Sequence, residues 1–143
     1  KNGRVYADLL DTGLAFIEKK RTGDIKNPRS MNVIGDVHDR DVILVDDEVN
    51  TGGSMVHAVE ILKKHHARDI YMVFVHPVLS QNAAERLAEL PVKKFITLNT
   101  VPILPEKQAL FGDRLKVLSI GSMLGEVIKR ANEGRSVGAM FNE

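Results

Sequence analysis

One stretch of the sequence, residues 42–54, combines residue types that could hold a phosphorylated sugar. It consists of an apolar run at 42–45, the acidic pair Asp46 and Asp47, and a segment that closes on Thr-Gly-Gly-Ser at 51–54. The apolar run predicts a strand buried on both faces, and the residues after position 54 predict a helix. This order of strand, carboxylates, glycines and helix start favours a binding site over a simple connection.

The predicted helix start supplies groups that suit a phosphate. Unpaired backbone N–H groups and the positive end of the helix dipole attract anions there. Gly52 and Gly53 allow the backbone to come close to a ligand, and the hydroxyls of Thr51 and Ser54 add donors. The sequence lacks the Gly-x-x-x-x-Gly-Lys pattern of nucleotide P-loops and the Gly-x-Gly-x-x-Gly pattern of dinucleotide folds, so a sugar phosphate is the favoured ligand.

The acidic pair has two interpretations. Adjacent carboxylates at a strand end are commonly just solvated. Next to a phosphate loop, however, they suit ribose hydroxyls or a divalent cation bound to the sugar.

A second candidate is the cationic run Lys19-Lys20-Arg21, which follows a strand expected at 14–18 and precedes a polar segment expected to be a mobile loop at 22–30. A solvated basic loop is the simpler interpretation. The functional one is a loop that closes over a polyphosphate and neutralises the charge that develops in the transition state.

The chain alternates predicted helices and strands. We expect helices over 4–10, 55–66, 82–90 and 122–132, and strands over 14–18, 32–37, 41–45, 70–75, 94–98 and 117–120. This alternation predicts one α/β domain, residues 1–143, with a mostly parallel sheet flanked by helices. Because ligands of such sheets bind beyond the carboxyl ends of the strands, Asp46-Asp47, Glu18-Lys19 and His76 are expected to meet in one crevice.

Composition narrows the class of protein. Twenty basic and nineteen acidic residues give a net charge of +1, which provides no electrostatic case for binding nucleic acid or an acidic membrane. The absence of Cys agrees with a reducing cytosol. With no signal-peptide pattern and no apolar run of about 18–20 residues, we expect a soluble, cytoplasmic protein.

Several segments together resemble the ribose-phosphate pyrophosphokinases, also called phosphoribosyl pyrophosphate synthetases, which have the type I phosphoribosyltransferase fold. The resembling segments occur in the family's order and lie at 14–21, 31–37, 46–54, 75–80, 97–102 and 119–130. They span nearly the whole chain.

The resemblance implies an ATP-binding, magnesium-dependent transferase of nucleotide biosynthesis that moves pyrophosphate from ATP to C1 of ribose 5-phosphate. It places catalysis on Lys19 and Arg21 and Mg²⁺ on Asp46 and Asp47. The residues it assigns to ribose 5-phosphate are Asp46, Asp47, Asn50, Thr51, Gly52, Gly53 and Ser54. It also implies that the chain is the C-terminal half of a two-domain parent, that the parent is a homo-oligomer (a dimer or a hexamer), and that this half alone is inactive.

Two positions depart from the family pattern. Glu48 stands where an apolar residue is usual, and Asn50 stands where an aspartate is common. Asn can form hydrogen bonds with a sugar but cannot act as a base or add negative charge. These departures leave open a non-catalytic regulatory homologue. A salvage phosphoribosyltransferase would share the loop, although the run at 19–21 and the stretch from Ser119 argue against it.

Overall fold

The computed structural model describes residues 2–20 and 30–141, which alternate between helix and strand. The elements are α1 (Asn2–Leu10), β1 (Phe16–Lys20), β2 (Ser30–Ile34), β3 (Val42–Glu48), α2 (Gly53–Lys64), β4 (Ile70–His76), α3 (Ala83–Ala88), β5 (Lys94–Leu98), α4 (Pro105–Phe111), β6 (Leu115–Leu118) and α5 (Gly121–Asn132). Short 3-10 turns follow at Gly112–Arg114 and Gly138–Met140.

The described strands form two sheets. Strands β3, β4, β5 and β6 make a parallel sheet in that order, and β1 pairs with β2 in a separate antiparallel sheet. A helix lies between each pair of consecutive parallel strands, as a parallel connection requires. The predicted class, an α/β fold with a mostly parallel sheet flanked by helices, is confirmed.

The core lies on one face of the central strands. Side chains alternate along β4, so that Ile70, Met72 and Phe74 are buried while the residues between them are only half-buried. The same core contains Phe95 of β5, whose ring packs edge to face on that of Phe111 at 4.9 Å between centroids. The helices complete the core with Met55, Val59, Leu62, Ala83, Ala84 and Leu87.

The prediction that residues 42–45 are buried on both faces is wrong. Ile43 is 46% exposed, and its neighbours in the strand are half-buried. The reason is position in the sheet, because β3 pairs only with β4 among the described residues and therefore lies at an edge. Strand β3 also continues to Glu48, so Asp46 and Asp47 lie inside the strand and not after it.

Other predicted boundaries also needed correction. Strand β1 lies two residues later than expected, β2 and β6 each begin two residues earlier, and α2 begins at Gly53. Helix α4 was not predicted, although Pro105 at its first position is a typical helix start. The loop expected at 22–30 lies outside the described residues except for Ser30, which begins β2.

Over the described ranges, every helix is too short or too polar to cross a membrane.

An ion pair joins the start of β3 to the turn before β4. Nε and Nη2 of Arg68 donate to Oδ1 and Oδ2 of Asp41 at 2.7 and 2.9 Å, and the Arg68 amide donates to the carbonyl of Arg40 at 2.8 Å. The hydrogen bonds from Arg68 lower the pKa of Asp41 below its ordinary value.

Replacing Asp41 with asparagine is therefore expected to remove an acid-sensitive part of the stability. Because the pKa is lower in the folded state, the ionised carboxylate stabilises the fold above its unfolded pKa of about 3.9, and this contribution is lost as the pH falls through the folded value. In urea unfolding, Asp41→Asn should be less stable than the wild type at pH 7, and the difference should shrink below about pH 4. Asp8→Asn, on the exposed side of α1, is the control. A difference that stays constant with pH would contradict this account.

Candidate functional site

The end of β3 brings acidic side chains to the carboxyl edge of the parallel sheet. Asp46 pairs in register with Phe74, and Glu48 pairs with His76. Because side chains alternate along a strand, Asp46 and Glu48 lie on the face that carries Phe74, whereas Asp47 lies on the opposite face and is exposed. The Asp47 amide donates to Oδ1 of Asp46 at 2.9 Å. The predicted pair therefore presents its carboxylates to two different sides of the strand.

The glycine loop, residues 49–54, leads from β3 into α2. Gly52 is the N-cap residue and adopts a left-handed conformation, with φ 74° and ψ −5°, which favours glycine. Gly52 has no side chain that could cap the first turn of α2. A helix start of this kind suits an anion, because the N–H groups of a first turn have no partner inside the helix itself.

Core packing sets the position of this loop. A Cβ on Gly52 would lie 3.5 Å from Cγ of Leu87 and 3.7 Å from Cβ of Ala83, both buried on α3. The loop therefore rests directly on helix α3. A Cβ at these distances would make ordinary van der Waals contacts, so it is the positive φ of Gly52, and not a lack of space, that favours glycine there.

The β4–α3 loop, residues 77–82, is hydrogen bonded along the glycine loop. The amides of Leu79 and Ser80 donate to the carbonyls of Val49 and Asn50 at 2.9 and 3.0 Å. Oγ of Ser80 donates to Oδ1 of Asn50 at 2.5 Å. From α3, Nη1 of Arg86 donates to the carbonyl of Thr51 at 3.2 Å. Sequence reasoning did not assign a role to Ser80 or Arg86, because they lie about thirty residues from their partners and belong to no local pattern.

His76 lies at the carboxyl end of β4 and is exposed, as predicted for a residue at this edge. Its Nδ1 is 3.0 Å from Oγ1 of Thr100, and that hydroxyl donates to the carbonyl of Val75 at 2.9 Å. A hydroxyl has one proton to donate, so Nδ1 of His76 must be the donor to Thr100. In the neutral ring, Nε2 is then a hydrogen-bond acceptor. These hydrogen bonds join the end of β4 to Thr100 and indicate a structural role for His76.

The predicted catalytic residues are only partly described. Lys19 lies in β1, opposite Met31 of β2, and Arg21 lies outside the described residues. Strand β1 does not belong to the parallel sheet, so the expectation that Glu18 and Lys19 end a strand of that sheet is wrong. The assignment of catalysis to Lys19 and Arg21 stays a prediction.

A groove of about 960 Å³ lies between the two sheets. Its lining includes Phe16 and Ile17 of β1, the β3 residues 42–46, and Ser54 at the start of α2. The structure thus brings β1 to the same groove as Asp46 and Ser54, the last residue of the glycine loop.

Carboxylates in the described ranges do not form a complete metal site. Those ranges contain no group of three or more His, Cys, Asp or Glu side chains able to hold a metal ion. Mg²⁺ commonly binds one or two carboxylates together with substrate phosphates and water. Asp46 or Asp47 fits that mode of binding, provided that the substrate completes the coordination.

The sequence of this chain matches a known protein family and several named proteins. Residues 4–142 match the family model of the phosphoribosyl synthetase-associated domain. The ribose-phosphate pyrophosphokinase of Haemophilus ducreyi is 41% identical over 140 residues, which cover 97% of this chain and 43% of that protein. The same-named protein of Caldanaerobacter subterraneus subsp. tengcongensis is 41% identical over 138 residues, which cover 96% of this chain and 42% of that protein.

A solved structure shows the same fold. The crystal structure of phosphoribosylpyrophosphate synthetase from Mycobacterium smegmatis matches with a TM-score of 0.79 and 36% identity, over 93% of this chain and 42% of that one. The chain thus spans less than half the length of these relatives. Domain match, identity and fold agree, and the chain belongs to the ribose-phosphate pyrophosphokinase family.

Proposed function

We propose that a protein containing this chain is a ribose-phosphate diphosphokinase, which makes phosphoribosyl pyrophosphate and AMP from ribose 5-phosphate and ATP. The observation that supports this proposal most directly is the glycine loop, in which left-handed Gly52 leads into the start of α2 beside the acidic end of β3. The relatives from Haemophilus ducreyi and Caldanaerobacter subterraneus are named for this activity, which supports the same proposal.

In this proposal the 5-phosphate binds the backbone amides and hydroxyls of residues 50–54. Asp46 and Asp47 accept hydrogen bonds from ribose hydroxyls and would hold Mg²⁺, directly or indirectly, together with the substrate. When bound, Mg²⁺ would neutralise negative charge on the phosphate oxygens.

The transfer forms one bond and breaks one. The C1 hydroxyl oxygen attacks the β-phosphorus of ATP, the bond from that phosphorus to the oxygen bridging it to the α-phosphate breaks, and AMP leaves with that oxygen. The hydroxyl proton passes to solvent or to a base. Lys19 and Arg21 stabilise the charge that develops on the transferring group.

We further propose that the chain is the C-terminal half of a longer, homo-oligomeric enzyme and is inactive alone. Its relatives are more than twice as long as the matched region, which leaves room for a second domain that supplies most of the ATP site.

Calorimetric titration of the 143-residue chain tests the phosphate site. With Mg²⁺ present, ribose 5-phosphate should bind at least about tenfold more tightly than ribose, because only the former carries the charged group that the helix start recognises. Equal affinity for the two sugars would contradict the proposed site.

Product analysis of a full-length protein separates the candidate activities. AMP formed from ATP and ribose 5-phosphate supports the diphosphokinase, whereas a salvage phosphoribosyltransferase would need a finished pyrophosphate donor and a base. The replacement of the usual aspartate by Asn50 favours, as a second candidate, a non-catalytic regulatory homologue, which would form no AMP and show no Mg²⁺-dependent binding of ribose 5-phosphate.

A further inference from the structure

We propose that Ser80 and Arg86 are positioning residues for the phosphate, and that they act through Asn50 and Thr51. The inference rests on the proposed binding of a sugar phosphate by the glycine loop. It assigns a function to the β4–α3 loop and α3, which would otherwise serve only the core.

Ser80 determines which hydrogen-bonding groups Asn50 presents. The backbone amide of Ser80 donates to the Asn50 carbonyl at 3.0 Å, and its Oγ donates to Oδ1 of the same residue at 2.5 Å. Since this bond occupies the side-chain oxygen, the orientation of the Asn50 amide is set, and its Nδ2 group is directed away from Ser80 with two N–H donors. Donors suit phosphate and hydroxyl oxygens, whereas an aspartate here would present acceptors alone.

Arg86 holds the next residue of the loop and brings positive charge to it. Its Nη1 donates to the carbonyl of Thr51 at 3.2 Å, and its Nη2 lies 3.7 Å from the place that a Cβ on Gly53 would occupy. The side chain is half-buried, and no described carboxylate forms an ion pair with it. The guanidinium charge therefore adds to the positive potential at the start of α2.

The backbone around Ser80 is specialised for this contact. Leu79 and Gln81, on either side of it, have φ angles of 47° and 53°, a left-handed conformation that is strained for a residue with a side chain. The buried side chain of Leu79 and the bond from its amide to Val49 anchor the segment. A strained but firmly anchored loop is expected where a side chain must be held in one place.

Steady-state kinetics of a full-length protein containing this chain test the inference. Arg86→Ala should raise the KM for ribose 5-phosphate about tenfold while changing kcat and the KM for ATP less than about twofold. Arg86→Lys should recover most of the affinity, because the ammonium can still donate to the Thr51 carbonyl. Ser80→Ala should raise the same KM, and Ser80→Thr, which keeps the hydroxyl, should restore it.

Arg68→Ala is the matched control, because it removes an arginine and its hydrogen bonds at the opposite end of the sheet and should leave the KM unchanged. Should Arg86→Ala fail to fold, Arg86→Met keeps the apolar bulk, and the same rise in KM is expected.

An unchanged KM in the Arg86 variants, or a fall in kcat that lysine does not rescue, would overturn this inference. If the wild-type protein binds ribose 5-phosphate and the variants have an unchanged KM, the proposed phosphate site is retained and the positioning role of Ser80 and Arg86 is rejected. If the wild-type protein does not bind ribose 5-phosphate, the phosphate site and the positioning role are both rejected.

Discussion

Alanine at both Lys19 and Arg21 in a full-length protein containing this chain is expected to lower kcat about a thousandfold, with little change in the KM for ribose 5-phosphate. In phosphoryl-type transfer the protein contributes mainly positioning and neutralisation of charge, so removal of two cations from the transferring group raises the barrier directly. The sugar phosphate is bound by other residues, in the glycine loop, and should be unaffected.

The effect can be distinguished from a general loss of positive charge. Lys116→Ala with Lys129→Ala removes two exposed cations on β6 and α5 and is expected to leave kcat unchanged. A normal turnover rate in the Lys19 and Arg21 variant would refute the catalytic assignment. A large rise in KM at constant kcat would instead place these residues in substrate binding.

Leu87→Ala is expected to lower both the stability of the fold and the affinity for ribose 5-phosphate. The side chain is fully buried, and Leu→Ala changes at such sites cost about 3–5 kcal/mol because they leave a cavity. Leu87 also lies beneath Gly52, so its loss should let the glycine loop shift and weaken sugar-phosphate binding severalfold. Urea unfolding measures the first effect, and calorimetric titration below the unfolding transition measures the second.

Leu62→Ala provides the comparison. Leu62 is similarly buried, but it lies in the C-terminal half of α2, two turns from the helix start. Its truncation should destabilise the fold by a similar amount and leave the affinity of the folded protein unchanged. Equal affinities in the two variants would show that the loop does not depend on Leu87.

Much of the architecture was predictable from the residues alone, because the signals are local. The apolar runs predicted all six described strands with starts within two residues of the observed ones. The glycines at 52–53 predicted a helix directly after them, which the structure shows beginning two residues earlier than expected, at Gly53. Helix α4 was missed because its seven residues are too few to show a clear repeat.

The sequence by itself determined the α/β class, the family and the position of the glycine loop, since each depends on residues close together along the chain. Only the tertiary structure decided that β3 continues through Asp46 and Asp47, that β3 is an edge strand among the described residues, and that Ser80 and Arg86 contact the loop. Those features follow from strand order and from contacts between residues about thirty positions apart. The physical reason is that periodicity records which side of an element is apolar, whereas packing determines which element that side meets.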